Sequence, residues 1–183
     1  HTSVVYDATF SPDGKWIATA SDDTTARIWD AATGRLFAQL AGHSEAVRQA
    51  IYSPDNRRIV TVSDDGTARL WDASTGQSIE VLRGYAGIIW RAAFSPNGKL
   101  IVTVGTDSIA RLWDADTGKA VADLRGHSKR IVDAQFTLDG GRQPGQLALH
   151  QIIMRAGLHG RHRNILTDRA RDNNEWQILA ASL

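Results

Sequence analysis

A repeat of 42 residues constrains this chain more than any other feature of its sequence. The pair Trp-Asp begins at Trp29, Trp71 and Trp113, so successive pairs are 42 residues apart. Three further markers keep the same register: Ser-Pro turns begin at Ser11, Ser53 and Ser95, Thr-Gly pairs at Thr33, Thr75 and Thr117, and Gly-His or Gly-Tyr pairs at Gly42, Gly84 and Gly126. Self-similarity at such a period predicts a stack of equivalent structural units rather than one aperiodic core.

Each unit predicts four short strands, as the second unit illustrates. Its β-branched and apolar segments are separated by turn signals: Pro54 presets one turn, and Asp65-Gly66 has the sequence of a tight hairpin. The expected strands of this unit are 47–52, 59–63, 67–72 and 78–82. No stretch between these turns holds a helical period, so we expect an all-β fold.

A four-stranded sheet that is apolar on both faces must stack against neighbours, and radial stacking of such sheets produces a propeller. The period, with its Gly-His and Trp-Asp markers, resembles the WD-repeat family over residues 1–139, in the style of a bacterial tandem array. The resemblance implies a partial WD-repeat β-propeller with about three four-stranded blades. The units are expected at 1–41, 42–83 and 84–125, with the start of a fourth at 126–139.

The resemblance also implies a buried hydrogen-bonded network of one His, one Ser or Thr, one Asp and one Trp in each blade. The matching residues are His1, Thr19, Asp23 and Trp29, then His43, Thr61, Asp65 and Trp71, then Thr103, Asp107 and Trp113. Tyr85 stands where the third histidine should be. We expect this blade to lack the full network and to be less rigid, and the change matters locally because an unsatisfied buried polar group costs about 1–3 kcal/mol. Because the set recurs in every unit, we interpret it as structural and not as catalytic.

Members of the family bind proteins or peptides on the narrow face of the propeller, and the resemblance places certain positions there. The candidate partner-binding residues are Tyr6, Arg48, Trp90, Asp22, Asp64 and Arg130. Tyr6, Arg48 and Trp90 differ in type although they are equivalent in the repeat, and Tyr, Trp and Arg are enriched at interface hot spots. Two competing interpretations are neutral drift at these positions and packing of Trp90 against Tyr85 to compensate for the missing histidine.

The repeat markers disappear in the tail, residues 140–183. The period predicts Thr, Asp and Trp where the chain has Gly145, Leu149 and Arg155. Three interpretations stay open: a helical extension with helices over 146–158 and 174–183, a disordered or degenerate segment, or out-of-frame translation of a former fourth blade.

Closure of the ring poses a separate problem, because three blades and one strand would leave apolar faces and strand edges unpaired. We therefore expect the chain to be a fragment of a longer protein. Further blades or self-association would be needed to complete the propeller.

Several function classes are excluded by composition and motif spacing. The chain has no cysteine and a net charge of +1, which argues against thiolate metal sites and dedicated polyanion binding. The tail histidines His150, His159 and His162 lack acidic or thiolate companions at a known metal-ligand spacing. Asp116-Thr117-Gly118 matches an aspartic-protease triplet but lies at the Thr-Gly turn of the repeat. We expect no enzyme, cofactor or metal, and neither nucleic acid nor a membrane as a partner.

The sequence thus predicts a non-catalytic, cytoplasmic scaffold for protein–protein interaction, with a protein or peptide as partner. Two alternatives stay open. In one, the repeats are a sensor or regulatory module of a larger signalling protein that carries an NTPase, kinase or protease-like domain. In the other, they are a decayed gene fragment.

Overall fold

A computed structural model describes residues 1–137, 151–156, 163–166 and 178–179 of the chain, with side chains through Phe136. Every regular element in these residues is a β-strand. In chain order the strands are β1 Val5–Phe10, β2 Trp16–Ser21, β3 Thr25–Asp30, β4 Leu36–Ala41, β5 Val47–Tyr52, β6 Arg58–Ser63, β7 Ala68–Asp72, β8 Ser78–Leu82, β9 Ile89–Phe94, β10 Leu100–Gly105, β11 Ala110–Asp114, β12 Ala120–Leu124, β13 Ile131–Thr137, β14 Gln151–Ala156, β15 Arg163–Leu166 and β16 Ile178–Leu179. The four strands predicted for the second unit are confirmed to within one residue at each end.

The strands form four antiparallel sheets, each made of four strands that follow one another in the chain. Within each complete repeat, the turns after Ser-Pro and after the Asp-Asp or Thr-Asp pair connect neighbouring strands of one sheet. The first strand of each sheet contacts the first strand of the next, from β1 through β5 and β9 to β13. This arrangement of sheets is that of consecutive propeller blades, and it confirms the all-β, propeller-like fold.

Buried apolar side chains gather in three clusters, each between two neighbouring sheets. The first cluster joins Ile28 and Leu40 of the first sheet to Val47 and Trp71 of the second. The same arrangement recurs between the second and third sheets and between the third sheet and β13. Each blade therefore depends on its neighbours for most of its burial, as expected for stacked repeats.

The Thr-Gly turns of the second and third repeats pack on the preceding blade, which explains their glycines. Gly76 has a φ of 72°, and a Cβ added there would lie 2.8 Å from the Cβ of Ala38. Gly118 has a φ of 67°, and an added Cβ would lie 2.4 Å from the Cγ of Glu80. Only glycine meets both the left-handed backbone and the close approach of the neighbouring blade.

The tail contributes strands to a fourth sheet, so the helix predicted over 146–158 is wrong for residues 151–156. These residues form β14, which pairs antiparallel with β13 in a register that joins Ile131 to Ala156. The unpaired edge of β13 offers a row of backbone donors and acceptors, which outweighs a weak local helical period. Residues 178–179 likewise form a strand inside the second predicted helix, and the other residues of both predicted helices lie outside the described residues.

One face of the first sheet is apolar and uncovered by any described residue. Val5 and Phe10 are 47% and 64% exposed, whereas their repeat equivalents Val47 and Tyr52 are 0% and 8% exposed because they pack on the first sheet. The expectation that further blades or self-association complete the propeller stays a prediction. No helix in the described residues could span a membrane.

Candidate protein-interaction surface

A buried chain of hydrogen bonds holds the second blade together between β6 and the loops at one end of the sheet. Trp71 Nε1 donates to Thr61 Oγ1 at 2.8 Å, and His43 bridges Thr61 Oγ1 and Asp65 Oδ2, both at 2.8 Å. Thr67 donates from its hydroxyl to Asp65 Oδ1 at 2.7 Å. The first blade has the same geometry, with equivalent contacts among His1, Thr19, Asp23 and Trp29.

The protonation states of the groups in this hydrogen-bond network follow from which of them can only accept. A carboxylate only accepts hydrogen bonds, so His43 Nδ1 carries the proton, and Nε2 accepts from the Thr61 hydroxyl. Burial lowers the pKa of His43, although Asp65 acts in the opposite direction. Burial acts to raise the pKa of Asp65, but hydrogen bonds from Thr67 and His43 outweigh it and leave that pKa below its ordinary value. The network is thus a neutral imidazole beside an ionised carboxylate.

This arrangement makes the fold sensitive to acid. We expect the free energy of unfolding to decrease as the pH falls below about 6.5, because the unfolded chain then binds a proton that folded His43 resists. A further loss is expected below about pH 3.9, where the unfolded chain protonates Asp65 before the folded chain does. Urea titrations between about pH 7 and about pH 5 measure the first effect. His43→Gln should reduce the pH slope, and an unchanged slope would contradict the assignment to His43.

The third blade lacks the histidine, and two other side chains complete its network. The Tyr85 hydroxyl donates to the Thr103 carbonyl oxygen at 2.5 Å and lies 2.8 Å from Thr103 Oγ1, which accepts from Trp113 Nε1 at 2.8 Å. The Asp107 carboxylate instead accepts from Arg111 at 2.6 Å. The loss of the histidine therefore leaves neither Thr103 nor Asp107 without a hydrogen-bond partner.

Arg111 also connects the two halves of this substitute network. Its guanidinium lies 3.9 Å from the centre of the Tyr85 ring, which places a cation over the ring face. Burial raises the pKa of Tyr85 to about 12, so the hydroxyl stays protonated and can donate. Ile109 stands where the second blade has Thr67, the second hydroxyl donor to the aspartate. The histidine and this hydroxyl are thus both replaced in the same blade.

The narrow-face candidates Tyr6 and Arg48 lie side by side at the ends of β1 and β5. The Arg48 guanidinium is 4.4 Å from the centre of the Tyr6 ring. Tyr6 donates to Asp22 Oδ1 at 2.9 Å, and Arg48 pairs with both oxygens of Asp64, through Nε at 2.7 Å. The hydrogen bond to Asp22 raises the pKa of Tyr6. Each predicted rim aspartate therefore orients one predicted contact residue.

Trp90 continues the row on β9, but it does not pack in the cluster that holds Tyr85. It packs against the cluster between the third sheet and β13, and its Nε1 donates to the Ile131 carbonyl oxygen at 2.7 Å. Tyr85 packs against the cluster between the second and third sheets. The Arg130 guanidinium lies 5.6 Å from the Trp90 ring. The interpretation that Trp90 compensates for the missing histidine is wrong, since Tyr85 and Arg111 perform that role.

A cleft of about 400 Å³ brings four of the six predicted contact residues together. Its lining residues are Tyr6, Arg48, Trp90, Arg91, Arg130 and Val132. Asp22 and Asp64 lie behind the cleft as the partners of Tyr6 and Arg48. The first strands of all four sheets contribute to the cleft, because residues 6, 48, 90 and 132 are equivalent in the repeat.

Arg91 was missed by the sequence interpretation. It follows Trp90 in β9, and its repeat equivalents are Asp7, Gln49 and Asp133. A polar or charged residue recurs at this position in all four first strands, and this signal was visible in the sequence. Gln49 and Asp133 line a second cavity along the first strands, together with Arg91.

The motifs weighed for catalysis have structural roles where they are described. Within Asp116-Thr117-Gly118, the amide and hydroxyl of Thr117 each donate to Asp114 Oδ1 at 2.8 Å, and Asp116 pairs with Arg58. The triplet is a capped turn. No cluster of three potential metal ligands occurs among the described residues, while His150, His159 and His162 lie outside them.

Comparison with protein families agrees with this geometry. The family model for the WD domain, G-beta repeat, matches residues 1–30, 34–72 and 76–114, which together make up more than half of the chain. The chain belongs to the WD40 repeat family. Each WD40 match ends at a Trp-Asp pair, the pair whose tryptophan donates to the buried threonine of its blade.

Stretches of the chain about one repeat long are similar to parts of other proteins. The chain is 46% identical over 43 residues to a notchless protein homolog of Arabidopsis thaliana, which covers 24% of this chain and 9% of that protein. It is 51% identical over 35 residues to a ribosome biogenesis protein of Debaryomyces hansenii, covering 19% and 4%. It is 55% identical over 31 residues to a pre-mRNA-splicing factor of Saccharomyces cerevisiae, covering 17% and 7%. The chain thus matches less than a tenth of each relative's length.

Proposed function

We propose that this WD40 chain is a non-catalytic scaffold that binds a protein or peptide partner in the cleft formed by Tyr6, Arg48, Trp90 and Arg130. One observation carries the proposal: Tyr6, Arg48 and Trp90 of three adjacent first strands line a single cleft together with Arg130, which directly precedes β13. Tyr6, Arg48 and Trp90 are equivalent in the repeat, and their different types make the cleft chemically specific.

The contact residues are held in place before any partner arrives. The carboxylates of Asp22 and Asp64 orient Tyr6 and Arg48, and the Ile131 carbonyl orients Trp90. Ordering of long side chains costs about 0.5–1.5 kcal/mol each on binding, so preorganised contacts lose less entropy. Aromatic and arginine anchors in one recess are typical of interface hot spots.

The relatives support the general role and not a particular partner. Two of them are named for ribosome biogenesis and for pre-mRNA splicing, but the matches extend over 35 and 31 residues, about the length of one repeat. A regulatory module within a larger signalling protein would use the same surface. We propose the scaffold role, because the other motifs of the described residues have structural roles, whereas the cleft is suited to binding a partner.

Partner capture tests the proposal. Full chain immobilised on beads should retain specific proteins from a lysate of the source cells, and Tyr6→Ala/Arg48→Ala/Trp90→Ala should lose most of them. Loss of a hot-spot residue costs about 2 kcal/mol or more, so a substantial decrease in retained protein is expected. Quantitative mass spectrometry of the eluates measures the decrease.

A matched control exists at the opposite end of the sheets. Lys15, Arg57 and Lys99 are also equivalent in the repeat and are exposed, but they follow the Ser-Pro turns. Their triple alanine variant should retain the same proteins as the unaltered chain. Equal retention by both triple variants, at matched thermal stability, would remove the cleft from consideration.

A further inference from the structure

We propose that the partner segment bound in this cleft is an acidic peptide, whose side-chain carboxylates pair with Arg91 and Arg130 beside the Trp90 ring. This inference rests on the proposed function and adds the chemistry of the partner. It depends on which charges in the cleft are already paired.

Of the three arginines that line the cleft, only Arg48 forms an ion pair among the described residues. Arg48 forms a two-pronged ion pair with Asp64. Arg91 and Arg130 are both exposed and have no carboxylate within 4 Å among the described residues. The other walls of the cleft are Tyr6, Trp90 and Val132, none of which is acidic. Among the described residues the cleft therefore presents two guanidinium groups without an ion pair, of which Arg91 lies near enough to Asp7 to act on the pKa of that carboxyl.

These two cations are not inherited from the repeat framework. The position of Arg91 holds Asp7, Gln49 and Asp133 in the other units. The position of Arg130 holds Val4, Ala46 and Ile88. A charge excess confined to one side of the cleft thus arises from residues that the fold itself does not require.

Arginine is suited to carboxylates, because its planar fork can donate two parallel hydrogen bonds. Arg130 already lies 5.6 Å from the Trp90 ring, so a carboxylate could bind its free edge while the ring packs against an apolar side chain of the same peptide. A cleft of about 400 Å³ has room for a few side chains of an extended segment.

The same charges disfavour nucleic acid as the occupant. Polyanion binding scales with the number of phosphates that cations neutralise, and only two unpaired cations line this cleft. The net charge of the chain, +1, adds no general attraction.

Fluorescence polarisation with two matched peptides tests the inference on the full chain. The probe is a fluorescein-labelled peptide of alternating Glu and Leu, and its counterpart has Gln in place of every Glu. The Glu peptide should bind more tightly than the Gln peptide. Arg91→Gln/Arg130→Gln should weaken its binding by about tenfold or more, because the lost hydrogen bonds are charge-assisted.

Arg35→Gln/Arg57→Gln is the matched control, since it removes the same charge from two exposed arginines at the opposite end of the sheets. This variant should bind the Glu peptide like the unaltered chain. Equal weakening by both variants, or equal binding of the two peptides, would overturn the inference. Tighter binding of labelled oligothymidylate that depends on Arg91 and Arg130 would also overturn it, in favour of nucleic acid.

The two proposals fail in distinguishable ways. If protein capture depends on Tyr6, Arg48 and Trp90 but the Glu peptide does not bind, the acidic partner is wrong and the interaction surface stands. If capture is also unaffected by the triple variant, both proposals fall.

Discussion

Replacement of Trp71 by alanine is expected to lower the free energy of unfolding by about 3–5 kcal/mol. Trp71 is 2% exposed and packs in the cluster between the first and second sheets, so truncation leaves a cavity that rigid strands cannot fill. The substitution also removes the Nε1 donor of Thr61 at the start of the buried hydrogen-bond chain. Few single positions in the described structure combine so large a buried side chain with a network role.

Equilibrium urea unfolding, followed by far-ultraviolet circular dichroism, measures this loss. Trp29→Ala is the matched control, because Trp29 makes the same hydrogen bond to Thr19 in the first blade but is only half-buried. Its loss should be clearly smaller than that of Trp71→Ala. A decrease below about 1 kcal/mol for Trp71→Ala would contradict its role as the central core residue of the second blade.

Arg111→Leu is the second large effect, with an expected loss of about 3 kcal/mol or more. The side chains of Arg111 and Asp107 are 10% and 12% exposed, and Arg111 is the hydrogen-bond donor that pairs with this carboxylate. Removal of the guanidinium leaves an uncompensated charge in a largely buried position, and it also removes the cation over the Tyr85 ring.

The second blade offers an internal control for this variant. Arg69 is the repeat equivalent of Arg111, but His43 and Thr67 serve its aspartate, and the buried Nε of Arg69 has no hydrogen-bond partner. Arg69→Leu should therefore cost much less. Addition of Asp107→Asn to Arg111→Leu should recover part of the stability, because the unpaired charge is then gone. Equal losses for the two arginine variants would show that Arg111 acts through packing alone.

Much of the fold could be predicted because every repeat has similar residues at the positions that determine its strands and turns. The Trp-Asp pairs, turn glycines and β-branched segments recur every 42 residues, so the strands of the second unit follow from its sequence to within one residue. Turn chemistry is local: Gly76 needs left-handed backbone, and Asp72 caps the turn through the amide of Thr75 at 2.9 Å. Local requirements of this kind are visible without tertiary information.

The candidate site could be predicted in part. Tyr6, Arg48 and Trp90 were predicted from the resemblance to the WD-repeat family and from their variation at equivalent positions, and all three line the cleft. Arg91 was not predicted, because the packing of neighbouring blades determines which first-strand residues line the cleft. The pairing of Arg48 with Asp64, and the lack of an ion pair for Arg91 and Arg130 among the described residues, likewise depend on distances between side chains.

The sequence by itself determined the all-β class, the period, the strands of each complete unit and the family, because all of these depend on short-range patterns that repeat. The tertiary structure decided which residues contact each other when they are distant in the sequence. It brings Tyr85 to Thr103 and Arg111 to Asp107 where the third blade lacks a histidine, since an aspartate accepts from any donor that reaches it. It also turned residues 151–156 into a strand, because the free edge of β13 supplies backbone partners that a local helical period does not register.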